Sequence, residues 1–211
     1  MPRPPIDTAV KSDASQAPAR WKIVAGARRH FLAEGFRNVT MDDLAEELGM
    51  SKKTLYAHFA SKTDLVKAVM LQKLGQAEAD LEAITSRRDM AFADSLHDML
   101  ACLQRHGDEI RPPFIRDVRR DAPELFSIVE QSRTAMIHKH FDRMLKAGRK
   151  AGMIRKDVPV RLIVEILVGA TQAMVNPQKI TELGLTPKEA YGIIIQVVLH
   201  GVLTDNGRSN L

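Results

Sequence analysis

Residues 51 to 62 gather side chains whose chemistry suits a shared task. Lys52, Lys53, Thr54, Tyr56 and His58 are long, cationic or hydrogen-bonding, and they are interleaved with apolar Leu55 and Phe59. Four residues apart, Leu55 and Phe59 share one face of a helix and can pin it to a core. The opposite side then carries the cations and hydrogen-bonding groups. Such side chains neutralise phosphates and reach base edges as donors or acceptors, which is what a helix lying in a DNA major groove requires. A solvated helix of an ordinary bundle can look the same, so this helix alone does not separate the two readings.

The surrounding elements must hold that helix in place. Thr40 is placed to cap a preceding helix, with Asp43 three residues on as its capping-box partner. Leu44, Ala45 and Leu48 fall on one face, while Asp42, Glu46 and Glu47 point outward. Gly49 gives the backbone freedom for a sharp turn, Met50 is the apolar plug beneath it, and Ser51 caps the second helix. Upstream, Ile23, Val24, Ala27 and Phe31 lie in helical register before Gly35 and Phe36. Downstream, Ser61 and Asp64 signal the start of a helix that carries Leu65, Val66, Val69 and Met70 and runs to about residue 84.

Taken together, Ile23, Ala27, Phe31, Gly35, Phe36, Thr40, Ala45, Gly49, Ser51, Thr54, Leu55, Tyr56, Phe59, Lys62, Leu65 and Val69 form a gapless pattern. It resembles the DNA-binding domain of the TetR family of transcriptional repressors and covers about a quarter of the chain. Gly26 departs from it, standing where the family usually has Ala. The resemblance implies an all-α fold: an N-terminal three-helix helix-turn-helix DNA-binding domain, then a helical ligand-binding and dimerisation domain. It also implies that Thr40, Tyr56 and Lys62, with His58 as a further candidate, contact phosphates. Ser51, Lys53 and Thr54 are expected to reach bases, and Lys52 either.

Composition bounds these readings. The chain has 211 residues and a formal charge of +5, so its whole surface is not a polyelectrolyte and any DNA affinity must be local. Residues 21–74 hold nine basic and six acidic residues. Cys102 is the only cysteine, so neither a disulfide framework nor a cysteine-based zinc site is expected within one chain, which fits a reducing cytoplasm. It sits in an apolar run and reads as a buried structural thiol, with a redox sensor as the alternative. The N-terminus lacks an apolar signal region, and the longest apolar runs are too short to span a bilayer. The expectation is a soluble cytoplasmic protein without membrane contact.

In chain order, residues 1–20 read as a flexible arm, with Asp7 and Asp13 favouring an idle tail over the alternative that Arg3, Lys11 and Arg20 reach a minor groove. Residues 21–74 are the expected DNA-binding domain, and residues 75–211 the second domain, with a connector around 85–89. Helices are expected over 91–106, 114–120, 124–150, 160–175 and from 187 to about 202. The last two are apolar on more than one face and must bury both. One face can pack within the chain and the other on a second copy, through Ile166, Gly169, Ala170, Ala173, Ile194, Val197, Val198, Gly201 and Val202. The family resemblance likewise implies a homodimer through these helices.

Enzymatic chemistry finds little support. His138 and His140 are two apart and face different ways, and His97 and His106 are also out of register, so no metal or cofactor is expected. No P-loop, dinucleotide fingerprint or nucleophile elbow occurs. Arg111, Arg116, Arg119 and Arg120 interleave with Asp117, Asp121 and Glu124 as a salt-bridged surface, with an anionic effector site as the alternative. Following the resemblance, a small-molecule effector would bind among Phe92, Leu96, Met99, Cys102, Phe114, Val118, Met136 and Phe141, an apolar set that suits an apolar or aromatic ligand. The reading is a repressor released from a palindromic double-stranded DNA operator by that effector. Two other classes stay open: an effector-independent activator or architectural DNA binder, and a helical ligand-binding or enzymatic protein that merely contains a helix-turn-helix.

Overall fold

The computed structural model describes residues 13–87, 90–174 and 176–209. Among them the chain forms eleven helices and no strand. The only β-type pairing there is an isolated antiparallel bridge between Ile154 and Leu203.

The first four helices are α1 (Asp13–Glu34), α2 (Met41–Glu47), α3 (Lys52–His58) and α4 (Lys62–Thr85). Three begin at side-chain caps that satisfy otherwise unpaired backbone donors. The Thr40 hydroxyl accepts from the Asp43 N–H at 3.1 Å, and the Thr40 N–H donates to the Asp43 carboxylate at 3.0 Å, closing the capping box. Ser51 caps α3 through the Thr54 N–H at 3.1 Å, and Ser61 caps α4 through the Asp64 N–H at 3.0 Å. Gly49 makes the turn with φ +63°, a left-handed value that costs glycine little. Gly26 also has a packing reason: a Cβ there would collide with Leu48 Cδ2.

Helices α5 (Phe92–Asp108), α6 (Pro112–Asp121), α7 (Pro123–Lys150), α8 (Val160–Met174), α9 (Pro177–Leu183), α10 (Pro187–Val202) and α11 (Asp205–Ser209) complete the chain. Two apolar cores result. The first joins Ile23, Phe31, Leu44, Leu55, Phe59 and Leu65 of the N-terminal helices to Phe114, Val118, Leu125 and Val129 of α6 and α7. The second gathers α5, α7, α8 and α10 around the C-terminal half of α4. Leu74 packs against both, so α4 passes unbroken from one core to the other.

Several expectations need correction. The stretch 13–20 is the start of α1 and not an arm. Its Ala and Gln residues favour helix, and Arg20 is fixed by the stacking described below. Arg3 and Lys11 lie outside the described residues. The helices α9 and α11 were not anticipated. Asn176, Pro177 and a left-handed Gly184 nonetheless mark both ends of α9. Gly148 lies inside α7. A Cβ there would come within 2.5 Å of Phe92 Cε2 and 2.7 Å of Ile154 Cγ1, so this glycine permits close approach.

Candidate nucleic-acid interface

Leu55 and Phe59 are fully buried and hold α3 in the first core beside α2, each contributing roughly 1.5–3 kcal/mol. With that face fixed, Ser51, Lys52, Lys53, Thr54 and Tyr56 are exposed and His58 is half-buried. Tyr56 keeps 48% of its surface accessible, a large value for an aromatic residue. The structure thus leaves the expected residues of α3 exposed or half-buried, with Thr40 and Lys62 at the starts of the neighbouring helices.

They are not equally free. The Lys53 side chain has no hydrogen bond or ion pair to another described residue. Lys52 donates to Asp42 at 2.5 Å, and this bond raises its pKa. The Ser51 and Thr54 hydroxyls lie 2.9 Å apart and bond to each other, so each has less capacity left for a base. Lys62 rests with its ammonium 4.5 Å from the centre of the Phe36 ring. Burial pushes its pKa down, opposed by the pull of Asp117, Asp121 and Asp43.

Arg20, expected to lie in a flexible arm, is instead held beside α3 by contacts that the sequence did not signal. Its guanidinium stacks 4.2 Å from the centre of the Phe59 ring and donates to the His58 carbonyl at 2.9 Å, adding a cation at the C-terminal end of α3. Arg37, in the loop before α2, forks onto Asp121 of α6 with bonds of 2.7 and 3.0 Å. Asp117 is buried and accepts from the Arg37 N–H at 3.3 Å. The Arg/Asp run of α6 therefore includes contacts that tie this helix to the loop before α2.

The remaining expected residues divide differently. Phe92, Leu96, Met99, Cys102, Met136 and Phe141 lie in the second core, whereas Phe114 and Val118 belong to the first, because α6 packs on α1. Of the eight, only Phe141 lines a small apolar cavity of about 10 Å³, which Leu145, Ile163, Val164, Leu167, Ile195, Val198 and Leu199 complete. On α8 and α10, Ile166, Gly169, Ala173, Val197 and Gly201 are exposed, and Ala170, Ile194 and Val198 are half-buried. Val202 is only 8% exposed and packs in the chain's own core, so it is removed from the outward face. Leu162 and Ile193 were overlooked and stand on that face, 50% and 48% exposed. Spacings of 162, 166, 169, 173 and of 193, 197, 201 keep each set on one stripe. No helix among the described residues is long and apolar enough to cross a membrane.

Two groups of possible metal ligands also come together among the described residues: Asp80, Cys102 and His106, and Glu78, Glu82 and His140. The sequence reading compared histidines with each other. It thereby missed that Cys102 and His106 are four apart on α5, with Asp80 opposite them on α4.

Comparison with known proteins agrees with this arrangement. Residues 23–69 match the model of bacterial regulatory proteins of the tetR family. The HTH-type transcriptional regulator YvaF of Bacillus subtilis is 25% identical, over 87% of this chain and 95% of its own length. The HTH-type transcriptional repressor AcnR of Corynebacterium jeikeium is 25% identical, over 74% of this chain and 79% of its own. A TetR-family regulator from Mesorhizobium loti superposes with a TM-score of 0.66 at 17% identity, over 91% of this chain and all of that one. SmeT, the repressor of a Stenotrophomonas maltophilia efflux pump, superposes in its triclosan complex with a TM-score of 0.66 at 16% identity, over 90% and 94% of the two chains. The matched segment, the helix-turn-helix it contains and the relatives' shared role place the chain in the TetR family of transcriptional regulators.

Proposed function

We propose that the chain is a homodimeric repressor that reads a palindromic operator with two copies of the α2–α3 unit, one in each of two successive major-groove segments. The observation that carries this reading is the face of α3. Buried Leu55 and Phe59 leave Lys52, Lys53, Thr54 and Tyr56 outward on a fixed helix. In this reading residues 21–74 are the DNA-binding unit. Lys62, Tyr56 and Thr40 hold phosphates, Lys53 reaches a base edge, and Lys52 joins them when it leaves Asp42. The outward stripe of α8 and α10 supplies the dimer contact, and residues 75–211 form the dimerisation and effector-binding unit of a cytoplasmic protein.

Release by a small apolar or aromatic effector is supported by the wholly apolar lining of the cavity between α7, α8 and α10, and by the triclosan complex of SmeT. At about 10 Å³ the cavity is far below the roughly 300 Å³ of a ligand site. Effector binding in this reading therefore opens the second core. The test compares two lysines on the same operator. Lys62→Ala should weaken binding to all sequences alike and lower the slope of log affinity against log salt by about 1. Lys53→Ala should cost about 1–3 kcal/mol on the preferred sequence and relax discrimination at one position. Equal, sequence-independent losses from both would remove Lys53 from base recognition.

A further inference from the structure

We propose that Asp80, Cys102 and His106 form a binding site for a thiophilic divalent cation such as Zn²⁺ or Co²⁺, built across α4 and α5. One ligand atom from each of the three lies within 4.8 Å of the others. Cys102 and His106 stand one turn apart on α5, and Asp80 faces them from α4. The set is a thiolate, an imidazole and a carboxylate, the donor types of tetrahedral zinc sites with three protein ligands and an open fourth position. The site is also built in depth. Cys102 is 2% exposed, and the His106 ring is already oriented: its Nε2 lies 2.9 Å from Asp80, and its Nδ1 lies 2.9 Å from the Lys73 ammonium. A ligating histidine usually donates its second N–H to an acceptor, so the Lys73 ammonium, itself a donor, must leave Nδ1 when a metal takes Nε2.

Charge and protons balance. Binding displaces the Cys102 thiol proton to solvent, so one thiolate and one carboxylate match the dication. The imidazole keeps a single proton, moved from Nε2 to Nδ1. Lys73 then turns to Glu109, its ion-pair partner at 2.7 Å. Arg105, now 2.8 Å from Asp80, is 62% exposed and swings into solvent. The other cluster is a poorer candidate. Glu78 and Glu82 are already held by Lys139 and Arg143, the Glu82 carboxyl is down at about 2, and no thiolate is present.

The site's position suggests a role that rests on the regulator reading. Glu109 pairs with both Lys73 of α4 and Arg28 of α1. Drawing His106 away from Lys73 therefore alters a contact that reaches the DNA-binding unit, and the metal clamps α4 to α5.

The experiment titrates reduced, metal-free protein with Co²⁺ and follows thiolate-to-cobalt charge-transfer absorption, with displacement by Zn²⁺ as the second reading. One equivalent should bind. Cys102→Ser should abolish the band, and Asp80→Asn and His106→Gln should each weaken binding by more than about 100-fold, beyond the loss of an outer-shell partner. Glu78→Gln should leave it unchanged. Circular dichroism of every variant confirms folding. Folded wild-type protein without a charge-transfer band, or a band kept in both Asp80→Asn and His106→Gln, would overturn the site. Zn²⁺ should change operator affinity at least about threefold, a readable step against the fivefold lower end of typical coupling. Metal binding with unchanged affinity would overturn the coupling alone. Failure of all operator binding would count instead against the regulator reading.

Discussion

Replacing Val197 by glutamate tests the dimer most sharply. Val197 is 68% exposed on α10, beside Ile193 on the same helix and near Leu162 and Ile166 of α8, each about half exposed. Full burial of such a side chain is worth roughly 1.5–3 kcal/mol, so covering what remains of Val197 contributes about 1–2 kcal/mol. A two-fold axis counts it twice, giving roughly 2–4 kcal/mol, or about 30- to 700-fold in the dimer dissociation constant. Desolvating two glutamates adds to this loss. Sedimentation velocity over a wide dilution series should show Val197→Glu as a monomer where the parent is a dimer. Val202→Ala is the internal contrast. That side chain is 8% exposed within its own protomer, so its truncation should cost about 0.5–3 kcal/mol of folding stability and leave the dimer intact. Dimerisation of Val197→Glu as tight as the parent's would refute the assignment of this face.

Two further predictions concern the fold that supports the site. Gly148→Ala places a methyl against Phe92 and Ile154 and should destabilise by about 1–3 kcal/mol, seen as a drop in Tm of about 2–4 °C per kcal/mol. Acid should loosen the tie between α6 and the N-terminal helices. The Arg37 guanidinium holds the Asp121 carboxyl down at about 2, below an unfolded value near 3.9. A depressed folded pKa stabilises above the unfolded value and is lost as pH falls toward the folded one. The Tm difference between the parent and Arg37→Ala should thus be full above about pH 4 and shrink as pH falls through about 2. A difference that stays constant across that window would remove the ion pair as its cause.

The first core was legible because its signals are local. Thr40, Ser51 and Ser61 cap within three residues of themselves, Gly49 marks its own turn, and Leu55 and Phe59 share a face by spacing alone. Contacts between distant segments were not legible. Nothing in the sequence pairs Arg20 with Phe59, Arg37 with Asp121 or Asp80 with His106, since those depend on how helices cross. The same cause divided the expected effector lining: periodicity shows that Phe114 and Val118 are buried, but not that α6 buries them against α1. On α8 and α10 most residues are apolar, so spacing could not say which stripe faces inward, and Val202 was placed outside while Ile193 was passed over.

The most direct test of the central claim is selection from a random duplex library, followed by binding to the enriched sequence at several salt concentrations. The account predicts a two-fold symmetric winner, bound about 10³-fold or more above non-specific DNA and with a steep salt dependence. A library that yields no enriched sequence, with only weak binding that ignores sequence, would contradict it.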